Sequence, residues 1–250
     1  MQLYDQLTRA KAHGQKKFVV LIDPDKVRLK NMSRVLEQAV EAGVDYFFIG
    51  GSLIVNNMLD DCLTRIKAQC NIPMILFPGN SFQLSYRADA ILFLSLISGR
   101  NAELLIGNHV IAAPYLKMSP LEIMSTGYLL VDGGKPTTVS YMSNTSPIPA
   151  GKDDIAVCTA LAGELLGLRL MYLDAGSGAT HPVSESMIES VSGAISVPLI
   201  VGGGIRTPEK ALANVQAGAD VVVVGNALEK DPSLLKDMAA AVHSMNEVAG

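Results

Sequence analysis

The 250-residue chain contains no tryptophan, only 5 % aromatic residues and three cysteines. With so few large rings, a core of this size must be filled by Val, Ile, Leu and Ala, as strands buried on both faces require. Cys62, Cys70 and Cys158 make no Cys-x-x-Cys pair and are odd in number. They read as reduced thiols serving as small buried apolar groups in a cytoplasmic protein. No apolar run reaches the roughly 18 residues that a membrane span needs. The opening stretch MQLYDQLTRAKAHGQKK lacks the apolar segment of a secretory leader. No basic amphipathic segment marks a membrane anchor, so only loose contact with a lipid surface stays open. A formal net charge of −4 argues against broad nucleic-acid binding.

Short apolar runs, by contrast, recur throughout. They are Phe18–Ile22, Tyr46–Ile49, Met74–Phe77, Ala90–Leu94, Tyr128–Val131, Leu170–Leu173, Leu199–Val201 and Val221–Val224. Helical patterns lie between them. Lys30–Ala42 is amphipathic and ends at Gly43, Asp153–Leu166 is rich in Ala and Leu and ends at Gly167, and Pro208–Ala217 starts behind Thr207 as N-cap. Strand runs alternating with helices at this chain length predict one closed (β/α)8 barrel spanning residues 1–250. A doubly wound open sheet is the competitor, but it carries one glycine-rich turn near its start rather than several near its end. Residues 133–151 hold three prolines and exceed the length of an ordinary βα loop, which marks the segment after the fifth strand as a functional loop.

Three consecutive strands in the C-terminal half end in small residues. The sixth gives Tyr172-Leu173-Asp174-Ala175-Gly176-Ser177-Gly178, the seventh Gly202-Gly203-Gly204-Ile205-Arg206, and the eighth Gly225-Asn226. Glycine lets backbone N–H groups approach an anion, and the helix N-terminus that follows directs its dipole at negative charge. In barrels the loops after strands 7 and 8 are a common phosphate site, so these turns predict a phosphate cradle. Arg206 could reach the phosphate or pair at the rim, and the rim role is favoured because backbone amides already bind an anion.

The N-terminal half offers hard oxygen ligands. Asp23 ends the first strand in Ile22-Asp23-Pro24-Asp25-Lys26, and Ser52 follows the second in Ile49-Gly50-Gly51-Ser52. One carboxylate and one hydroxyl on adjacent strand ends suit Mg²⁺, which takes the rest of its shell from water and substrate phosphates. The competing account is that Asp-Pro-Asp is a turn. Asp25 is placed to cap the following segment and Lys26 to neutralise phosphate.

These motifs, running in order from about residue 18 to 226, resemble the geranylgeranylglyceryl phosphate synthase family, which includes heptaprenylglyceryl phosphate synthases. The stretches that carry the resemblance are LIDPDK (21–26), IGGS (49–52), YMSNTSPIP (141–149), YLDAGSGA (172–179), VGGGIRT (201–207) and VGN (224–226). LIDPDK and the long loop after the fifth strand resemble the second of the family's two sequence groups. The shorter bacterial enzymes carry a lysine where this chain has Leu21.

The resemblance implies a prenyltransferase that joins sn-glycerol 1-phosphate to a polyprenyl diphosphate, with Asp23 and Ser52 holding Mg²⁺. It implies that Tyr172, Leu173, Asp174, Ala175, Gly176, Ser177, Gly178, Gly203, Gly204, Gly225 and Asn226 bind glycerol phosphate, and that the chain forms a dimer or hexamer. Asp174 is the expected base for the attacking hydroxyl, with Tyr172 orienting it. Here the chain departs from the family, which carries a glutamate at this position, one methylene longer.

For the prenyl tail, residues 77–80, 94–97 and 113–115 are groove candidates, and Tyr141 and Met142 are expected to close over the reacting end. His181 reads as solvated or capping, and Asp132 and Glu164 as rim carboxylates. A phosphosugar isomerase or aldolase-type barrel is the second reading. No strand carries an interior lysine for aldolase chemistry, though Asp23 and Asp132 could form an acid/base pair. A non-catalytic phosphate binder is the third.

Overall fold

The computed structural model describes the chain except for residues 1, 26–28, 55, 57, 81–82 and 249–250, so Lys26 lies outside the described residues. Strands β1 (Lys17–Ile22), β2 (Tyr46–Ile49), β3 (Met74–Leu76), β4 (Ala90–Leu96), β5 (Glu122–Leu130), β6 (Leu170–Asp174), β7 (Leu199–Gly202) and β8 (Val221–Val224) close into a parallel barrel in sequence order. β8 pairs back onto β1, with Val20 opposite Val224, so the closed barrel holds and the open sheet does not.

Side-chain alternation builds two separate apolar layers. Val19, Phe48, Ile75, Leu92 and Tyr172 fill the barrel interior. Phe18, Val20, Phe47, Leu76 and Leu173 face the surrounding helices. Adjacent strand residues therefore serve opposite layers, as a period of two dictates. Each fully buried Leu or Phe contributes roughly 1.5–3 kcal/mol. Of the thiols, only Cys62 is buried. Cys70 is half-buried and Cys158 lies exposed, which corrects the expectation that all three are packed inside.

β5 begins at Glu122, well before the apolar run expected from Tyr128. Glu122 is tolerated at the strand start because its carboxylate accepts the backbone N–H groups of Leu3 and Tyr4 at 2.5 and 2.9 Å. These are first-turn amides of α1 (Leu3–Ala12), which has no side-chain cap of its own. α1 closes the lower end of the barrel, placing Leu3 and Leu7 in the interior layer.

Helices α2 (Leu29–Glu41), α6 (Asp153–Leu165) and α8 (Pro208–Gln216) lie within a residue of expectation. At α8 the Thr207 hydroxyl accepts from Lys210 N, and Pro208 sits in the first turn. α3 (Leu59–Lys67), α7 (Glu185–Ala194), α9 (Asn226–Lys230) and α10 (Leu234–Val248) complete the outer layer with α4 and α5.

Three departures concern the segments that follow β3, β4 and β5. Among the described residues there is no helix between β3 and β4; Pro78 and Gly79 disfavour one. A π-helical turn (Glu103–Gly107) precedes α4 (Asn108–Lys117), so 113–115 lie inside a helix rather than in a loop. Within the long loop a short helix α5 (Thr138–Ser143) forms behind a capping box in which Thr137 and Ser140 satisfy each other's backbone N–H.

Candidate active site

β5 and β6 pair in register, Tyr128 opposite Tyr172 and Leu130 opposite Asp174. Tyr172 and Asp174, two residues apart, share the inward face of β6. The carboxylate of Asp174 is buried and fully engaged. Its Oδ2 accepts the Tyr128 hydroxyl at 2.5 Å, and its Oδ1 accepts Gly176 N at 2.7 Å. Burial pushes the Asp174 carboxyl above its ordinary range, while the bonds from Tyr128 and Gly176 pull it back. Burial, reinforced by the nearby carboxylate, raises the Tyr128 and Tyr172 hydroxyls well above 10, so Tyr128 is the donor in this pair.

Gly203 explains why this corner admits no side chain. Its φ is +79°, and a Cβ would stand 2.3 Å from Asp174 Oδ1 and 2.7 Å from Gly176 N. Across β8, Ser177 Oγ reaches Asn226 Oδ1 at 3.2 Å, joining the sixth and eighth strand ends. Ser177, Gly178, Gly203, Gly204, Gly225 and Asn226 all line one polar cavity of about 580 Å³, with Tyr172 and Asp174 in its wall. The side chains of Leu173 and Ala175 do not join them. Both pack outward against the helix layer, so only their backbone atoms are near the cavity.

Asp23 and Ser52 line the same cavity from the ends of β1 and β2, next to the end of β8. Asp23 is buried, and its Oδ1 accepts Asp25 N at 3.1 Å. The turn reading and the ligand reading are thus compatible, because Oδ2 lies against Gly51, 3.3 Å from where a Cβ would be. Asp25 itself ties the turn to the next loop by accepting Asn56 N. One carboxylate and one hydroxyl are a donor set that fits a hard divalent cation completing its shell with water and phosphate oxygens. No group of three or more His, Cys, Asp or Glu side chains gathers as a metal cage among the described residues.

Arg206 lines the cavity but spends its guanidinium on the carbonyls of Ala179 and Thr180, so it has the structural role expected, bracing the β6 turn, but through carbonyls rather than the rim carboxylate expected as its partner. Asp132 is exposed and accepts Gly134 N at 2.9 Å. It is absent from the cavity lining, which removes the partner that an Asp23/Asp132 acid/base pair needs. Glu164 sits far out on α6, bonded to Ser196, whose hydroxyl lowers its pKa. His181 is exposed and holds its turn through backbone N–H to Gly133 O at 3.0 Å.

An apolar groove of about 310 Å³ adjoins the polar cavity. Phe77, Leu94, Leu104, Ala112 and Leu116 are among its walls, and Gly51, Ser52 and Phe77 border both spaces. Of the expected positions, residues 77–80, Leu94 and Leu96 line the groove and Ser95 and Ile97 do not; within α4 it is Asn108, His109, Ala112 and Leu116, not residues 113–115, that line it. Met142 lines the groove, whereas Tyr141 is 84 % exposed and points away from it.

The sequence reading missed Tyr128, which looked like an ordinary strand residue, and Lys135 and Thr138, which reach the polar cavity from the long loop. It also missed that four rings gather under the site. Phe77 stacks on Tyr172 at 5.4 Å, Tyr128 meets Tyr172 edge-on at 5.4 Å, and Phe48 flanks both Phe77 and Tyr172.

The chain is 57 % identical over 243 residues to a geranylgeranylglyceryl phosphate synthase of Chitinophaga pinensis, covering 97 % of this chain and 96 % of that one. It is 43 % identical to one of Thermococcus kodakarensis, covering 94 % and 90 %. Among solved structures, (S)-3-O-geranylgeranylglyceryl phosphate synthase of Thermoplasma acidophilum in complex with its substrate sn-glycerol-1-phosphate superposes with a TM-score of 0.92 at 35 % identity, covering 98 % and 99 %. A tryptophan synthase alpha subunit of Legionella pneumophila, at 17 % identity and TM-score 0.57, shares the barrel fold alone. A model of the PcrB family matches residues 11–245, and the chain belongs to that family, alongside the geranylgeranylglyceryl phosphate synthases.

Proposed function

We propose that the protein transfers a polyprenyl group, geranylgeranyl in the first instance, from its diphosphate to sn-glycerol 1-phosphate in a Mg²⁺-dependent reaction. The observation that carries this reading is the shared wall. A polar cavity suited to phosphates and an apolar groove suited to a hydrocarbon tail meet at Gly51, Ser52 and Phe77. A substrate with an anionic head and an apolar tail fits such a junction. The named relatives and the glycerol-phosphate complex of the Thermoplasma enzyme support the acceptor.

In this reading the turns at Ser177–Gly178, Gly203–Gly204 and Gly225–Asn226 hold the glycerol phosphate, their backbone N–H groups facing its oxygens. Asp23 and Ser52 would hold Mg²⁺, which when bound neutralises the charge developing on the diphosphate leaving group. The allylic C–O bond breaks with its electron pair leaving on diphosphate, and the terminal hydroxyl oxygen of glycerol phosphate bonds to that carbon. Asp174 takes the hydroxyl proton. The rings of Phe77, Tyr128 and Tyr172 border the two spaces, and an aromatic cluster there would favour positive charge developing on the prenyl carbon. Holding both reactants in one frame supplies much of the acceleration.

Asp174 does in this chain what the longer glutamate would do elsewhere, with Tyr128 fixing one oxygen and Gly176 the other. Loss of the Tyr128 bond to an approaching substrate hydroxyl would free Oδ2 to act as base.

A cytoplasmic setting accords with three free thiols, and no helix among the described residues is long and apolar enough to cross a membrane. Self-association belongs to the same proposal. α4 turns Val110, Ile111 and Tyr115 outward, each more than half exposed, and Met118 follows at its end.

The test is incubation of labelled sn-glycerol 1-phosphate with prenyl diphosphates of several lengths, with Mg²⁺ or with chelator. Label should enter the organic phase only with metal. Label that stays aqueous with every donor would overturn the reading.

A further inference from the structure

The wall shared by the two spaces is held from behind by a side chain that touches neither phosphate cradle nor metal ligand. Gln83 is 95 % buried, at 5 % exposure, in the helix-free segment between β3 and β4. Its amide nitrogen donates to Gly51 O at 3.0 Å, and its amide oxygen accepts Gly79 N at 3.0 Å. One amide thus bridges the loop after β2, which carries Ser52, to the loop after β3, which forms the groove wall.

The two loops are in close contact at that bridge. A Cβ on Gly79 would stand 2.3 Å from Gly51 O and 2.9 Å from Ser52 Cα, and one on Gly50 would stand 2.1 Å from Phe77 O. No side chain fits between them, so the separation of Ser52 from Phe77 is set by backbone contact and by Gln83. In an ordinary βα unit a helix would brace the third loop. Here that helix is missing among the described residues, and a buried side-chain amide takes its place.

We infer that Gln83 is a positioning residue, which fixes the Ser52 loop against the Phe77–Gly79 wall so that the donor's diphosphate and its first apolar carbons are held in one alignment. This rests on the functional reading above. It predicts a dissection that a merely structural role would not produce, because the glycerol-phosphate turns lie on β6, β7 and β8 and make no contact with Gln83.

The experiment compares the full-length protein with its Gln83→Leu variant in two measurements. The first is steady-state kinetics in each substrate. The expected result is a rise of about tenfold in the KM for prenyl diphosphate, with the KM for glycerol phosphate unchanged within about twofold. The second is Mn²⁺ binding followed by electron paramagnetic resonance in the presence of inorganic diphosphate, which needs no turnover. There the half-saturating Mn²⁺ concentration should rise about fivefold.

Unchanged donor KM together with unchanged Mn²⁺ binding would overturn the inference, as would a parallel rise in both substrate KM values. If Gln83→Leu does not fold, Gln83→Glu keeps the acceptor for Gly79 N and loses the donor to Gly51 O. The same Mn²⁺ shift is then expected, and its absence would count equally against the inference. Failure of the functional reading looks different: the unaltered protein would transfer no prenyl group to any acceptor, whatever the Mn²⁺ titration of the variant gave.

Discussion

The two halves of the barrel mouth are built from different materials. On the β6–β8 side, the cradle is mostly backbone: positive-φ glycines, turn amides and one bridging Ser177–Asn226 bond. On the β1–β4 side, the end proposed for the donor is built of side chains: Asp23, Ser52, Gln83 and an apolar groove walled by Phe77, Leu94, Ala112 and Leu116. A phosphate of fixed size and charge is well served by amides that cannot change rotamer. A long tail needs a surface whose calibre side chains set. The difference teaches that, under the proposed function, acceptor recognition depends on where the chain runs, and donor recognition on what it carries.

The comparison breaks most severely at the point where the halves meet. Asp174→Asn keeps size and removes the base, so kcat should fall about 1,000-fold, within the range for loss of a general base. The KM for glycerol phosphate should stay within about threefold. Near-normal turnover would remove Asp174 from proton transfer. On the side-chain half, Asp23→Ala should lower kcat/KM for the donor about 100-fold and raise the half-saturating Mg²⁺ concentration, since one of the two protein oxygens proposed to hold the metal is lost. A metal titration with unchanged midpoint would contradict it.

Ala112→Trp sharpens the contrast by filling the groove. The KM for a geranylgeranyl donor should rise about tenfold while a much shorter donor is affected less, with the KM for glycerol phosphate unmoved. Gly203→Ala tests the backbone half. Its φ of +79° and the 2.3 Å approach to Asp174 Oδ1 predict a roughly tenfold rise in the KM for glycerol phosphate. A stability loss of about 1–3 kcal/mol from local strain should appear in denaturant titration.

The smallest effect is expected at Tyr128→Phe. In the proposed mechanism Asp174 works deprotonated, so kcat/KM falls as pH drops through the Asp174 pKa, which burial already holds above the ordinary carboxylate range. The Tyr128 bond lowers that pKa in the free enzyme, so its loss should move the acid limb of the kcat/KM profile to higher pH. An unmoved limb would show that Tyr128 does not tune Asp174.

The same contrast governs what was legible in the sequence. Backbone-built sites leave a signature, because only glycine satisfies positive φ and close approach, and so Gly203 and Gly204 stood out with the strand end that carries them. Eight apolar runs separated by helical patterns were enough for the closed barrel. Asp23 and Ser52 were visible as hard ligands at strand ends, though only the fold brings them to one cavity.

The groove was not legible, since Leu94 and Leu116 are the same residue types that fill the core. Tyr128 was hidden because its partner is 46 residues away and only the β5–β6 register brings the two together. Gln83 was hidden by lying past a Pro-Gly turn in a segment with no periodicity. Residues 113–115 lie inside α4, which absorbs Pro114 at the cost of one helix hydrogen bond, and only the helix's rotational setting decides which of its residues face the groove.

The π-helical turn at Glu103–Gly107 carries a consequence for how this groove could change over generations. An α-helix advances about 100° per residue, and a π turn is in effect an α turn with one residue added. Removing a residue there would spin α4 by about 100° about its own axis. His109, Ala112 and Leu116 would leave the groove, and Val110, Ala113 and Lys117 would come round in their place. That puts an ammonium group into an apolar trough. Groove calibre in this chain is therefore a matter of rotational phase as well as side-chain volume, and donor preference should change in jumps with insertions or deletions at that turn rather than drift with single substitutions.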